Sequence, residues 1–336
     1  MKTVVITGVA GFLGSHLADK FLEEGWHVRG IDNLLGGDLA NVPDGVDFYN
    51  LDLGSDKVIG HLAFQGAELV VHAGAVATEG LSVFSPALIT YHNTQATVNT
   101  LTAAANAGAK RFVYTSSMAR YGNYGSTLYT EDLETRPEDP YGIAKVASEN
   151  LVKNICETHG MVWTIIVPHN IIGSRQKYND PFRNVAGIFA NRMLQGKQPI
   201  IYGDGKQRRS FTFIQDVVEP MFLATQKIEA AGQVINVGPD NESTTIIELA
   251  EKVAAILEFD LDPIFMPDRP REVKIALCSA DKAKKILNYQ AMTSVDEGLL
   301  ELVEWIKSQG PKPFDYNLPI EINSPAVPKS WSLKLM

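Results

Sequence analysis

Only two cysteines occur in 336 residues, Cys156 and Cys278, and neither has a CxxC or CxxH companion. That scarcity argues against both a disulfide framework and a zinc cluster. Long apolar runs are missing as well, since none approaches the ~18 residues a bilayer demands. Met1 to Gly8 enters a strand pattern with no charged-then-apolar leader, so the expectation is a cytoplasmic protein with no membrane partner. Basic stripes are absent too: the formal net charge is -9, which speaks against nucleic acid as a partner. Two short arginine clusters, KQRRS at Lys206 to Ser210 and DRPRE at Asp268 to Glu272, still leave room for an anionic ligand. With 45% apolar and 21% charged residues, a chain of this length is expected to fold as two lobes.

What is present is alternation. β-Branched runs (TVVITG, HVRGIDN, VDFYNLD, ELVVHAG, RFVYTSS and VWTIIVP) are separated by helical patterns. Strand and helix in turn predict an α/β protein with a Rossmann-type doubly wound parallel sheet. The continuous apolar stretches VVIT, LVVH and WTIIV suit strands buried on both faces. After Asn170 the pattern loosens, and residues 171–310 are expected to form mainly a smaller substrate-binding lobe, interleaved with a first domain spanning 1–170. Residues 311–336, with Pro311, Pro313, Pro319, Pro325 and Pro328, are expected to have no regular structure and to run as an extended wrap or a loose end.

The first strand leads into TGVAGFLGSHLADKF, which sets Gly8, Gly11 and Gly14 between a strand and a helix. The three glycines serve, in order, a tight turn, close approach of a pyrophosphate, and close packing of helix on strand. Phosphates would then meet the unpaired N–H groups of the helix N-terminus. Asp32 ends the second strand, where a carboxylate accepts from both ribose hydroxyls and repels a 2'-phosphate, so NAD is favoured over NADP. Asn33, which follows where an arginine would suit NADP, agrees. Phe12 and Leu13 belong to the same loop. Asp52 and Leu53 are placed at the adenine edge, Asp52 having a second reading as an ordinary turn aspartate. Ala73, Gly74 and Ala75, after the fourth strand, are small enough to let backbone approach the cofactor, and Pro168 is counted with these contacts.

PYGIAKVASE places Tyr141 and Lys145 four residues apart on one helical face. An adjacent ammonium favours the phenolate of a tyrosine, whose ordinary pKa near 10 makes it a poor base at neutral pH. Ser117 closes the fifth strand at the carboxyl edge, where such sheets bind ligands, and its hydroxyl can orient a substrate alcohol.

Gly8, Gly11 and Gly14, Asp32, Ser117, Tyr141 and Lys145, VPHNIIGSRQ with Asn170, and YGDGKQRRSFTFIQDV together resemble the extended short-chain dehydrogenase/reductase superfamily, specifically its NAD-dependent nucleotide-sugar epimerase/dehydratase family. The resemblance runs from about Lys2 to about Lys307 and leaves the sugar open. It implies that Asn170 touches the sugar phosphate and that Arg209 and Arg269 clamp the pyrophosphate of a nucleoside-diphosphate sugar, a UDP-sugar first, with Arg271 competing for the second arginine's role. Catalysis would rest on Ser117, Tyr141 and Lys145, with no metal, in a homodimer built on helices near Ala87 to Ala107 and Tyr141 to His159. His92 stands where many relatives carry an asparagine near the nicotinamide carboxamide. Glu79 is either a solvent-facing loop acid or a residue that reaches the sugar, and as a second base it would open C3 or C5 to inversion.

Family members begin by oxidising C4 of the sugar to a ketone. The 4,6-dehydratases then use an Asp-Glu pair after the residue matching Ser117, and decarboxylating members use a glutamate at the position of Ala119. Met118 and Ala119 stand there in this chain. The resemblance therefore implies a UDP-hexose or UDP-hexuronate 4-epimerase. The alternatives are a 4-keto sugar reductase, another epimerase/dehydratase of the family and, last, a non-catalytic NAD-binding scaffold.

Overall fold

A computed structural model describes residues 2–125 and 128–336, so Met1, Ser126 and Thr127 of the expected first domain lie outside the described residues. Seven strands form the main sheet: β1 (Thr3–Thr7), β2 (His27–Asp32), β3 (Asp47–Asn50), β4 (Leu69–His72), β5 (Arg111–Thr115), β6 (Val162–Pro168) and β7 (Gln233–Val237). Their order is β7-β6-β5-β4-β1-β2-β3, and every pairing is parallel. The order reverses between β1 and β4, so the crevice at the carboxyl ends of these two strands is where ligands of such sheets lie.

Helices cover both faces. On one side α1 (Phe12–Glu23) lies beside α5 (Ile214–Gln226), with Phe21 and Phe222 in edge-to-face contact at 5.1 Å. On the other lie α2 (Ala96–Asn106) and α3 (Pro140–His159). α3 starts where its sequence says it should: Asp139 caps it by accepting from Gly142 N at 2.9 Å, Pro140 occupies its first turn, and Gly160 stops it at φ 70°. A stretch of π-helix, Thr90–Gln95, precedes α2. In the second half of the chain α4 (Val185–Leu194), α6 (Ile246–Leu257) and α7 (Val295–Gln309) pack around an apolar cluster that also takes in Val76, Leu81, Phe84 and Ala144. β7 and α5 come from the second half of the chain but belong to the first lobe's layers, so the interleaving is extensive. Cys156 and Cys278 are free and buried. Among the described residues no helix is long and apolar enough to cross a membrane.

Regular structure, expected to be absent from residues 311–336, occurs there. Lys329–Ser332 form a helical turn, and Trp331 is 2% exposed within the same apolar cluster.

α3 is docked on the end of β5 by a buried ion pair. Glu149 accepts from Arg120 Nε at 2.8 Å, from Arg120 Nη2 at 3.0 Å and from the Ser116 hydroxyl at 2.5 Å, with both charges fully inside. Removing one partner strands the other in a low-dielectric interior. Arg120→Ala is expected to lower stability by about 3–5 kcal/mol in urea unfolding, with recovery of much of the loss when Glu149→Gln is added.

Two buried histidines carry a pH prediction. His72 hydrogen-bonds Thr7 Oγ1 at 2.7 Å and Thr97 Oγ1 at 3.0 Å; burial, and secondarily the charge of Lys145, pushes its pKa down to about 3. Burial likewise pushes His169 down to about 4. The fold holds both rings neutral while the unfolded chain protonates them below about 6.5, so stability present above that pH is lost as pH falls towards the folded values. Unfolding midpoints measured between pH 7 and pH 4 are expected to drop, and less so in His72→Gln.

Candidate active site

The turn after β1 is built of contacts that only glycine permits. Gly8 sits at φ 73°, and a Cβ there would lie 2.7 Å from Gly74 Cα; at Gly14 it would lie 2.1 Å from the Gly8 carbonyl oxygen. Gly11 caps α1 without a side-chain hydrogen bond, so the helix N-terminus faces the crevice uncovered. Asp32 is almost wholly buried at the tip of β2, accepting from Ala10 N at 3.1 Å and Leu34 N at 2.8 Å. Burial raises its pKa and these amides oppose the rise. A backbone cradle closed to side chains, an open helix N-terminus and a carboxylate one strand away fit a dinucleotide. Gly8, Gly11, Gly14, Asp32 and Asn33 would hold the pyrophosphate and the adenosine ribose, with Phe12 and Leu13 alongside in the crevice.

Asp52 makes a local turn, accepting from Gly54 N at 3.0 Å, and also accepts from the Tyr91 hydroxyl at 3.2 Å. The ring of His92 stands 3.9 Å from it. Asp52 and His92 are therefore neighbours in the crevice wall. The π-helical stretch brings both Tyr91 and His92 towards Asp52, and no residue type in the sequence signals that extra residue per turn.

The second half of the crevice holds Ser117, Tyr141 and Lys145. Ser117 caps the turn Met118–Arg120, accepting from Ala119 N at 3.2 Å. Tyr141 lies in the first turn of α3 and lines the crevice, at 7% exposed. Its pKa is raised by burial and lowered by the Ser117 hydroxyl, with Glu79 and Asp139 adding to the rise. Lys145 donates to the Thr115 carbonyl at 2.8 Å, and its ammonium is 5.7 Å from the centre of the Tyr141 ring. Burial lowers its pKa to about 8, and Glu149 one turn further along works against the drop.

The smaller lobe supplies the cations. Arg209, on the short strand Arg208–Arg209, is fixed by donating to the carbonyls of Val273 at 2.6 Å and Arg208 at 2.9 Å. Arg269 donates to Glu272 at 2.6 Å, stacks over the Tyr202 ring at 4.9 Å, and keeps its buried Nε without a partner. Arg271 is exposed at φ 60° and also borders the crevice, but nothing stacks it in place as Tyr202 does Arg269. Asn170 donates to the Ser210 carbonyl at 3.0 Å. Glu79 lines the crevice and is also open to solvent. The crowding of the surrounding groups raises its pKa first, Asp139 adds to the rise, and Arg209 and Arg269 oppose it.

One crevice gathers every residue singled out in the sequence: the glycines, Phe12, Leu13, Asp32, Asn33, Asp52, Leu53, Ala73, Gly74, Ala75, His92, Ser117, Tyr141, Lys145, Pro168, Glu79, Asn170, Arg209 and Arg269. It also holds residues that no motif marked in advance, among them Asp139, Arg183, Leu318 and Met336. Asp139 was legible as a helix cap in DPYG. The others had no local signal.

Residues 4–238 match the model of the NAD dependent epimerase/dehydratase family. The UDP-glucose 4-epimerase of Mycolicibacterium smegmatis is 31% identical, over 92% of this chain and 99% of the relative. Among solved structures, UDP-glucose 4-epimerase with UDP-glucose from Thermotoga maritima superposes with a TM-score of 0.86 at 30% identity, over 91% and 99% of the two chains. UDP-glucuronic acid 4-epimerase from Bacillus cereus, in complex with UDP-glucuronic acid and NAD, does so at 0.84 and 26%, again over 91% and 99%. Glycine cradle, buried Asp32, the Ser117–Tyr141–Lys145 cluster and these likenesses agree: the chain belongs to the NAD-dependent epimerase/dehydratase family.

Proposed function

We propose that this protein is an NAD-dependent nucleotide-sugar 4-epimerase that acts on a UDP-hexose or UDP-hexuronate through a transient 4-keto sugar. The observation that carries this reading is the turn after Ser117. Met118 and Ala119 fill it, and the Ala119 carbonyl packs where a side chain on Gly142 would lie, at 2.6 Å, so no acid stands there for elimination or decarboxylation. Asp139, which caps α3, accepts from Gly142 N at 2.9 Å and from the Ser82 hydroxyl at 3.2 Å, so its Oδ1 is engaged in holding the helix start.

In this reading Tyr141 takes the proton of the sugar's 4-hydroxyl, and Ser117 holds that oxygen as it becomes a carbonyl. Lys145 holds positive charge beside the phenolate. Bound NAD supplies the acceptor for the C4 hydride and returns it, while its positive ring favours the phenolate that burial alone disfavours. Arg209 and Arg269 grip the diphosphate, so the sugar can turn without leaving. With the sugar turned to its other face, Tyr141 gives the same proton back to the oxygen of the inverted C4.

The purified chain, given UDP-glucose, UDP-GlcNAc and UDP-glucuronate in turn, is expected to bring at least one into equilibrium with its galacto form with no net change at 340 nm. Tyr141→Phe is expected to keep its cofactor and lose about 10²–10⁴-fold in rate. Failure to interconvert any of the three would overturn the reading, and steady consumption of reduced cofactor with a keto sugar would replace it by the reductase. Solvent deuterium appearing at C3 or C5 would give Glu79 the part of a second base.

The same reading places the enzyme in cytoplasmic carbohydrate metabolism as a homodimer formed through the α2 and α3 faces. Ile143, 55% exposed on α3, supports such a face. Light scattering is expected to give a dimer mass, and Ile143→Glu a monomer.

A further inference from the structure

The chain after Gly310 crosses both lobes and returns. It leaves the smaller lobe held by Tyr178, whose hydroxyl donates to the Gly310 carbonyl at 2.8 Å, and by Asn191, which exchanges two hydrogen bonds with Lys312 at 2.9 and 3.0 Å. It then reaches the dinucleotide lobe. Asn317 donates to the Leu35 carbonyl at 3.2 Å, and the Glu321 carboxylate accepts from the N–H groups of Ala87 and Leu88, each at 2.8 Å. Finally the turn Lys329–Ser332 brings it back beneath the arginine clamp.

There Trp331 packs edge-on against Phe182 at 5.3 Å, Phe84 at 6.2 Å and Tyr202 at 6.5 Å. Ser330 and the Tyr202 hydroxyl share a hydrogen bond of 2.5 Å. Tyr202 is the ring on which Arg269 lies. The indole also closes on the segment carrying Glu79: a Cβ at Gly80 would stand 3.3 Å from Trp331 Cη2 and 3.4 Å from Arg269 Nη1. The guanidinium thus has Tyr202 on its face, Glu272 at one nitrogen and Gly80 at another, and two of these three contacts are backed by Ser330–Trp331.

We propose that Ser330 and Trp331 are positioning residues for the diphosphate clamp: they lock Tyr202 and the Gly80 turn, and so hold the Arg269 guanidinium ready for the ligand. The proposal rests on the UDP-sugar reading above. An arginine side chain loses much rotamer freedom when it grips a phosphate, and a stacked, pre-oriented one loses less on binding. Loosening the support should therefore weaken diphosphate binding while leaving the dinucleotide site and the reacting trio as they are.

Titration calorimetry of the full chain with UDP, and separately with NAD, tests this. Trp331→Ala is expected to weaken UDP about tenfold and Ser330→Ala about threefold, with KM for the sugar nucleotide rising in step. Turnover and NAD affinity are expected to stay within about twofold, and Trp331→Phe to restore most of the UDP affinity. Wild-type UDP affinity in a folded Trp331→Ala, or in Ser330→Ala should the first variant not fold, would overturn the proposal. Equal loss of UDP and NAD affinity would do the same, because it would mark general loosening. If the unaltered chain binds NAD but not UDP, the UDP-sugar reading itself fails and this proposal falls with it.

Discussion

The placing of Ser117, Tyr141 and Lys145 depends on an ion pair that touches none of them. Glu149 joins Arg120 and Ser116 inside the protein, and so fixes α3 against the end of β5. Tyr141, Lys145 and Glu149 follow one another at four-residue intervals on a single helical face. Docking the third of them therefore sets the height and rotation of the first two against Ser117. The same carboxylate works electrically on Lys145, favouring the ammonium that burial disfavours. A hydrophobic substitute could hold the helix as firmly. It could not also supply the charge.

How much of this was legible in the chain divides along a physical line. Gly8 and Gly14 were readable because a single missing Cβ is a local requirement, visible in one residue at one spacing. The strands of the parallel sheet were readable because burial on both faces leaves continuous apolar runs. Asp139 was readable in principle, since Asp before Pro is a cap signature. The meeting of Tyr202 with Ser330, or of Asp52 with His92, depends on residues that approach only after the chain has folded. In the second case a π-helical stretch that no residue announces rotates the histidine into place. The tail was under-read for a related reason: its prolines forbid a long helix but say nothing of whether an extended chain will be covered.

The two lobes are less separable than a division near residue 170 suggests. β7 completes the first sheet at its β6 edge, and the pairing of Thr212–Phe213 with Ile171–Ile172 ties the lobes again just past that edge. Asn170 sits between these two ties and donates to the Ser210 carbonyl next to Arg209. The crevice is therefore spanned by short, hydrogen-bonded links and not by a free hinge. That suits a reaction in which the substrate must be held through two hydride transfers.

The returning tail also bears on how the molecule is assembled. Contact between Asn317 and Leu35 closes a loop of 282 residues, and that between Tyr202 and Ser330 one of 128. Contacts of such separation carry a large closure entropy and form late. A chain made from its N-terminus has both lobes and the glycine cradle in hand before these last residues emerge. The surroundings of Arg269 are then finished late, and a chain caught before that point would have its glycine cradle well ahead of the support that Ser330 gives Tyr202.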